Sequence, residues 1–341
     1  MLTQRPERIL IRSANWVGDA IMSIPAIRAI RRWFPGAAIT MLAKPWVAPV
    51  YDGCPYVDRV ILYDGNDRHK GVPGILRLCR DLRKYRFDAA VSIQNAFEAA
   101  LIFWLSGIPV RIGYASDGRS ALLTHRVYRT RRIKAAHQID YYLELVAGAG
   151  IEPGERNLEL FLSDTENQRA GEFLHASGFG DTTVVGINPG AAFGTAKRWF
   201  PERFVAVCNR LNSRGDKRFL VFGSPGEAGL GDTICQGIGD ACINLCGKTT
   251  LREAFALIHR CRLFITNDSG LMHAAAALAI PQIAIFGPTR LNTAPAGHNS
   301  HVLRAPVSCG PCMQPHCQTD HRCMDRVSVG MVADLAESLL S

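Results

Sequence analysis

A chain of 341 residues is too long for one comfortable hydrophobic core, so two domains are expected. Apolar residues make up 48% and charged residues 20%, which excludes a disordered or fibrous protein. The 39 Lys and Arg against 30 Asp and Glu give a net charge of +9, which favours acidic partners: nucleic acid, anionic lipid head groups or phosphorylated sugars.

Residues 1–8 are polar, and 9–11 are too few for the apolar region of a signal peptide. The longest apolar stretch, 274–286, is interrupted by Pro281 and is shorter than the roughly 20 residues a spanning helix needs. A soluble cytoplasmic protein is expected. The chain carries no RNA- or DNA-binding signature, so nucleic acid falls behind the other partners.

In chain order, residues 8–12 read as a short apolar strand, followed by a Gly-containing loop and an amphipathic helix over 19–33. Strands are expected at 38–42, 59–62 and 89–93, with a helix at 74–85. Short apolar strands alternating with helices point to a parallel sheet covered on both faces. Residues 115–134 are polar, Arg-rich and aperiodic, and read as a long exposed excursion. A polar connecting helix over 164–177 leads to a second series, with strands at 183–188, 218–222, 263–266 and 282–286. Its helices are expected at 201–213, 251–260 and 271–279. Two doubly wound halves imply a cleft, with ligands at the carboxyl ends of the strands.

Four loops after strands, and one tail, carry candidate chemistry. Asp19, in Asn15-Trp16-Val17-Gly18-Asp19, follows a strand and opens a helix. It is either an N-cap or a general base for an acceptor hydroxyl. A carboxylate at a helix start is a weak base, which suffices when bond breaking at a sugar runs ahead of proton removal. In residues 188–199, small residues let backbone N–H groups approach phosphate, and Lys197 can neutralise a departing diphosphate. The plain alternative is a flexible loop with solvated cations. Glu227, after the strand at 218–222, is either a ribose ligand or a solvated turn residue. Asp268, Ser269, Gly270 and His273 open an Ala-rich helix suited to an anion, with Asp268 able to orient sugar or ribose hydroxyls. Of the eleven cysteines, seven are scattered through apolar segments and read as small buried hydrophobes. Cys309, Cys312, Cys317 and Cys323 cluster near the end, with His316 and His321 among them. They are either ligands of a metal or cluster, or packed or reactive thiols.

The stretches NWVGDAIMSIPAIRAIRRWFP, GIPVRIGY, NPGAAFGTAKRWF, CGKTTLREAFALI and TNDSGLMHAAAALAIPQIAIFGPT, in this order, resemble the glycosyltransferase family 9 heptosyltransferases. Asn15-Trp16 and the tail CGPCMQPHC…HRCM are similar to the heptosyltransferase II branch. The resemblance implies an α/β GT-B fold, two Rossmann-like doubly wound domains facing each other across a cleft. It divides the chain into an acceptor domain at 1–165, a linker helix at 166–182 and a nucleotide-sugar domain at 183–341, whose last helix is free to pack back on the first domain.

The implied activity is inverting, metal-independent transfer of heptose from ADP-heptose to a heptosyl-Kdo acceptor of the lipopolysaccharide inner core. It needs no cofactor, and the lipid acceptor implies peripheral contact with the cytoplasmic face of the inner membrane. By position, Asp19 resembles the catalytic base, Thr195 and Lys197 diphosphate contacts, Glu227 the ribose ligand, and Lys248 and Thr249 the adenine wall. Asp268, Ser269, Gly270 and His273 resemble donor-site residues. Asn15 and Trp16 fall on the acceptor side, and Arg111, Arg119 and Arg126 are the counterparts of cations that meet acceptor phosphate and carboxylates. The competing readings are a family 9 transferase with another sugar or acceptor, a GT-B nucleotide-sugar epimerase, and a metal-binding regulatory module built on the cysteines.

Overall fold

The computed structural model describes residues 5–341, so the first four residues of the polar start lie outside the described residues. The chain forms two compact units, Met1–Phe161 and Leu162–Ser341.

Among the described residues the first unit holds six strands: β1 (Arg8–Arg12), β2 (Ala38–Ala43), β3 (Arg59–Leu62), β4 (Ala89–Ser92), β5 (Val110–Tyr114) and β6 (His125–Val127). Its helices are α1 (Val17–Met22), α2 (Ile24–Trp33), α3 (Gly71–Arg83), α4 (Phe97–Leu105), α5 (Arg131–Ala135) and α6 (Gln138–Gly148). The second unit holds β7 (Thr183–Asn188), β8 (Lys217–Val221), β9 (Cys242–Asn244), β10 (Leu263–Asn267), β11 (Gln282–Phe286) and β12 (Ser300–Arg304). Its helices are α7 (Asp164–Ala176), α8 (Pro201–Leu211), α9 (Ala228–Ile238), α10 (Leu251–His259), α11 (Gly270–Ala277), α12 (Arg322–Asp325) and α13 (Val329–Leu340).

The first sheet runs β3-β2-β1-β4-β5-β6 and the second β12-β11-β10-β7-β8-β9. Every pairing is parallel. Counting within each unit, both follow the order 3-2-1-4-5-6 of a Rossmann sheet, whose direction of winding reverses between its first and fourth strands. That switch point lies between β1 and β4 in one unit and between β7 and β10 in the other. The central strands β4, β10 and β11 are buried along their whole length, as expected where helices cover both faces.

Two expectations need correction. The helix read over 19–33 is two helices that meet at Ser23, because Pro25 has no N–H to return to the preceding turn and Ser23 Oγ donates to the Ala20 carbonyl at 2.7 Å. The segment 115–134 is no long loop. It holds a one-turn helix at Arg119–Leu122, the edge strand β6 and α5. These elements are too short to show a period in the sequence.

The last helix packs on the second sheet. Val332, Ala333 and Ala336 are fully buried with Val207, Ile265 and Ile285 in a core that includes Trp199. The Trp199 indole N–H donates to the Val327 carbonyl at 2.9 Å, and its ring stands edge-on to Phe204 at 5.0 Å. A second core lies under α10 and contains Phe222, Leu257, Phe264 and Ile280. Among the described residues no helix is long and apolar enough to cross a membrane.

Helix α7 opens the second unit with a capping box, in which the Ser163 hydroxyl accepts from the Glu166 N–H and the Glu166 carboxylate accepts from Ser163. The same carboxylate takes both arms of Arg252 on α10, at 2.6 and 2.7 Å. These bonds, Arg252 foremost, hold Glu166 down to about 2 from its usual 4.5. A depressed carboxyl stabilises the fold above its unfolded value and loses that contribution as pH falls through the folded one. Glu166→Gln is therefore expected to lower the stability of the second unit at neutral pH and to flatten the loss that the native protein shows between about pH 4.5 and 2. Urea midpoints across that range measure it, and parallel profiles for the two proteins would refute the assignment.

Candidate functional site

The second unit gathers its candidate residues at the switch point. The two loops that leave β7 and β10 are fastened to each other by buried amides. Asn188 donates to the Ser269 hydroxyl at 2.8 Å, and Asn267 donates to the Pro189 carbonyl at 2.7 Å. The Asn267 side-chain oxygen in turn accepts from the Trp199 N–H at 3.2 Å, which fixes the far end of the β7 loop. Ser269 occupies the N-cap position of α11 without capping it by its side chain. The first N–H groups of α11 thus have no intrahelical partner, as at any helix start.

Lys197 reaches this helix mouth. Its ammonium pairs with Asp268 Oδ2 at 2.6 Å, with the two side chains only 13% and 6% exposed, and lies 5.1 Å from the centre of the Phe193 ring. Thr289 donates to the same Asp268 oxygen at 2.6 Å. The cation is therefore held, not solvated. His273 is buried one turn into α11.

Glu227 is not a solvated turn residue either. One carboxylate oxygen accepts from the Ser224 N–H and hydroxyl, both at 2.8 Å, and the other lies 3.4 Å from Arg198. It presses against the β7 loop so closely that a Cβ at Gly190 would stand 2.0 Å from the carboxylate, so a side chain at 190 would displace Glu227 from this position. The next loop joins the same group. The Gly247 N–H donates to the Gly223 carbonyl at 3.0 Å, leaving Lys248 exposed and Thr249 half-buried before the Thr250 cap of α10.

The one-turn helix Thr195–Lys197 leans on the C-terminal cysteine segment. Ala196 N–H donates to the Pro315 carbonyl at 3.0 Å, the Ala196 carbonyl lies 2.8 Å from His321 Nε2, and Thr195 Oγ1 lies 3.0 Å from His316 Nδ1. A Cβ at Gly194 would fall 2.1 Å from the Pro315 oxygen, and Gly194 sits at φ +152.

In the first unit, Asp19 lies in the first turn of α1, whose N-cap position is held by Trp16. Asp19 is thus not the cap. It is half-buried and accepts from the Tyr142 hydroxyl of α6 at 3.0 Å. Burial and the adjacent carboxylate push the Tyr142 phenol well above its usual range, so it stays a neutral donor. The loop before α1 is anchored by the fully buried Arg12, which donates to the Ser13 carbonyl at 2.7 Å and to the Asn15 side chain at 2.8 Å. Burial pulls this guanidinium down to about 10. Trp46 donates to the Asn15 carbonyl at 2.9 Å, and Trp16 is 62% exposed.

The expected acceptor cations separate. Arg119 is fully buried and spends its donors on the Tyr114 and Gln94 carbonyls, at 2.8 and 2.7 Å, and on Asn95. It ties the ends of β4 and β5 together and cannot face an acceptor. Arg111 is half-buried, with donors on the Leu122 and Ile108 carbonyls at 2.6 Å. Arg126 is exposed on β6. Sequence reasoning missed Arg12, Asn188, Asn267, Thr289 and Tyr142. Of these, Asn188 and Asn267 had a signal: each is an amide ending an apolar strand.

Removing Lys197 alone (Lys197→Met) leaves a buried carboxylate without its cation, and the substrate-free protein should lose about 3–5 kcal/mol. Adding Asp268→Asn keeps an acceptor for Thr289 and should restore most of that loss. Urea denaturation reads both variants, and a double variant no more stable than the single one would contradict the pairing.

With this geometry in place, comparison with known proteins gives one answer. The model of glycosyltransferase family 9 (heptosyltransferase) matches residues 75–322. Lipopolysaccharide heptosyltransferase 2 of Escherichia coli K12 is 31% identical over 310 residues, covering 87% of this chain and 88% of that protein. The protein of the same description from Salmonella typhimurium is 30% identical over 307 residues, covering 87% and 88%. The structure of E. coli ADP-heptose lps heptosyltransferase II superposes with a TM-score of 0.82 at 28% identity, over 98% of both chains. A glycosyl transferase family 9 structure from Veillonella parvula gives a TM-score of 0.89 at 24% identity over 98% and 97%, a likeness of fold. An epimerase or a regulatory module gives way to this result. The two Rossmann sheets are a GT-B-like α/β fold, and the chain belongs to glycosyltransferase family 9, the heptosyltransferases, as a glycosyltransferase enzyme.

Proposed function

We propose that the enzyme transfers heptose from ADP-heptose to a heptosyl-Kdo acceptor of the lipopolysaccharide inner core, inverting the anomeric centre without a catalytic metal. The observation that carries this reading is the Lys197–Asp268 pair at the start of α11, at 2.6 Å. Carboxyl ends of strands at a switch point are where doubly wound sheets take nucleotides, and a cation beside free helix N–H groups suits a diphosphate. The likeness to proteins described as lipopolysaccharide heptosyltransferase 2 supplies the sugar and the acceptor class.

In this mechanism the acceptor hydroxyl attacks the anomeric carbon as its bond to the diphosphate oxygen breaks. ADP leaves with the electron pair, and its growing charge meets Lys197, Thr195 and the N–H groups at Ser269 and Gly270. Asp19 takes the hydroxyl proton, with Tyr142 orienting the carboxylate. Glu227 holds the ribose and Lys248 with Thr249 flank the adenine. Asp268 and His273 complete the donor side. Asn15, Trp16 and the exposed Arg126 serve the acceptor, and the lipid carrying it brings the enzyme to the cytoplasmic face of the inner membrane. The net charge of +9 supports contact with an anionic surface.

Asp19→Ala is expected to cut turnover by about 10²–10⁴-fold while ADP affinity stays nearly unchanged. Lys197→Ala should raise the barrier by about 2–4 kcal/mol. Steady-state rates with ADP-heptose, UDP-glucose and GDP-mannose, on core acceptors truncated at successive sugars, test the whole assignment. Full turnover by the Asp19 variant would remove the base, and preference for another nucleotide sugar would remove the donor.

A further inference from the structure

Residues 305–321 contain no helix or strand, and within them only Ala305 is buried. A segment of this length without a core of its own needs some other cross-link to hold one conformation. Four cysteines occupy it and its end. Free cysteines rank among the most buried residues of proteins, yet Cys309 and Cys312 are exposed, Cys317 is half-buried, and only Cys323 is buried. All four line a single cavity of about 70 Å³, shared with Ala196, Pro288, His321 and Arg322. Cys309 and Cys312 have the two-residue spacing usual for a chelating pair.

We propose that Cys309, Cys312, Cys317 and Cys323 together hold one thiolate-preferring, tetrahedral metal ion of the zinc class, and that this ion staples the segment to the loop bearing Lys197. Among the described residues no group of three or more His, Cys, Asp or Glu side chains is already arranged to hold a metal ion. The thiols border one space, and a change between staggered χ1 positions carries a cysteine sulfur through roughly 3 Å. Sulfurs about 2.3 Å from the ion then close the tetrahedron. Each thiol that binds gives up a proton, so a doubly charged ion with four thiolates carries a net charge of −2, beside the Arg322 cation. The role is structural. Ala196 exchanges hydrogen bonds with Pro315 and His321 of the same segment, at 3.0 and 2.8 Å, so the ion braces the backbone next to Lys197 without entering the chemistry.

The full chain, purified without chelators and kept reduced, is expected to carry one zinc or iron per molecule by elemental analysis. Replacing that ion by Co²⁺ should give the near-ultraviolet thiolate bands and intense visible bands of a tetrahedral sulfur site. Cys312→Ser, at an exposed position, should lose the ion and speed hydrogen exchange at the Ala196 amide. Circular dichroism reports whether that variant folds, and the cobalt spectrum of the native chain stands without it. No stoichiometric metal together with no cobalt–thiolate absorption would overturn the proposal, as would recovery of the four cysteines as disulfides from reduced preparations.

Discussion

Two buried amides hold the loops at the switch point of the second sheet together. Asn188 and Asn267 each end a central strand, and each donates across to the other strand's loop, to Ser269 and to Pro189. In a parallel sheet the strands leave the ladder side by side, and nothing in the ladder itself fixes where their loops go next. The amides fix it, in a region with little water where an unmet donor is costly. Everything gathered there depends on that register: Lys197 can meet Asp268 only if the β7 loop and the start of α11 stay together.

The same economy governs the charges. Lys197 and Asp268 are nearly buried, so neither is tolerated without the other. Lys197 already stands at the helix mouth, so in the proposed mechanism it loses little freedom in meeting a diphosphate, which is the physical content of preorganisation. In the first unit Tyr142 plays the comparable part. Kept protonated by burial and by the neighbouring anion, it aims a hydroxyl at Asp19 from a different helix. Arg12 and Arg119 are cations turned inward, each spent on backbone carbonyls that loops expose where strands end. They shape the loops that follow β1, β4 and β5.

The membership in family 9 joins these local facts to a reaction class. It also sharpens the contrast between the two units. The residues proposed for the donor come from loops after β7, β8, β9 and β10 and share hydrogen bonds. On the other unit, the half-buried Asp19 sits on a short helix and accepts from the Tyr142 phenol.

Sequence alone determined the strands that bury both faces, because runs such as residues 183–188 and 282–286 have no other place to go, and it determined the order of the motifs. It also marked Asp19, Lys197, Glu227 and Asp268, since charge and small residues after apolar strands are visible in one dimension. It failed where the period was absent: α4 is apolar nearly all round, α9 contains three glycines, and β6 and β9 have three residues each. It failed too on the direction of side chains. Arg119 and Arg126 look alike in an Arg-rich stretch, and only packing decided that one is sealed under the β4 and β5 ends while the other faces solvent. Tertiary structure alone placed Tyr142 on Asp19, 123 positions away in the chain, because a hydrogen bond between distant elements leaves no local pattern.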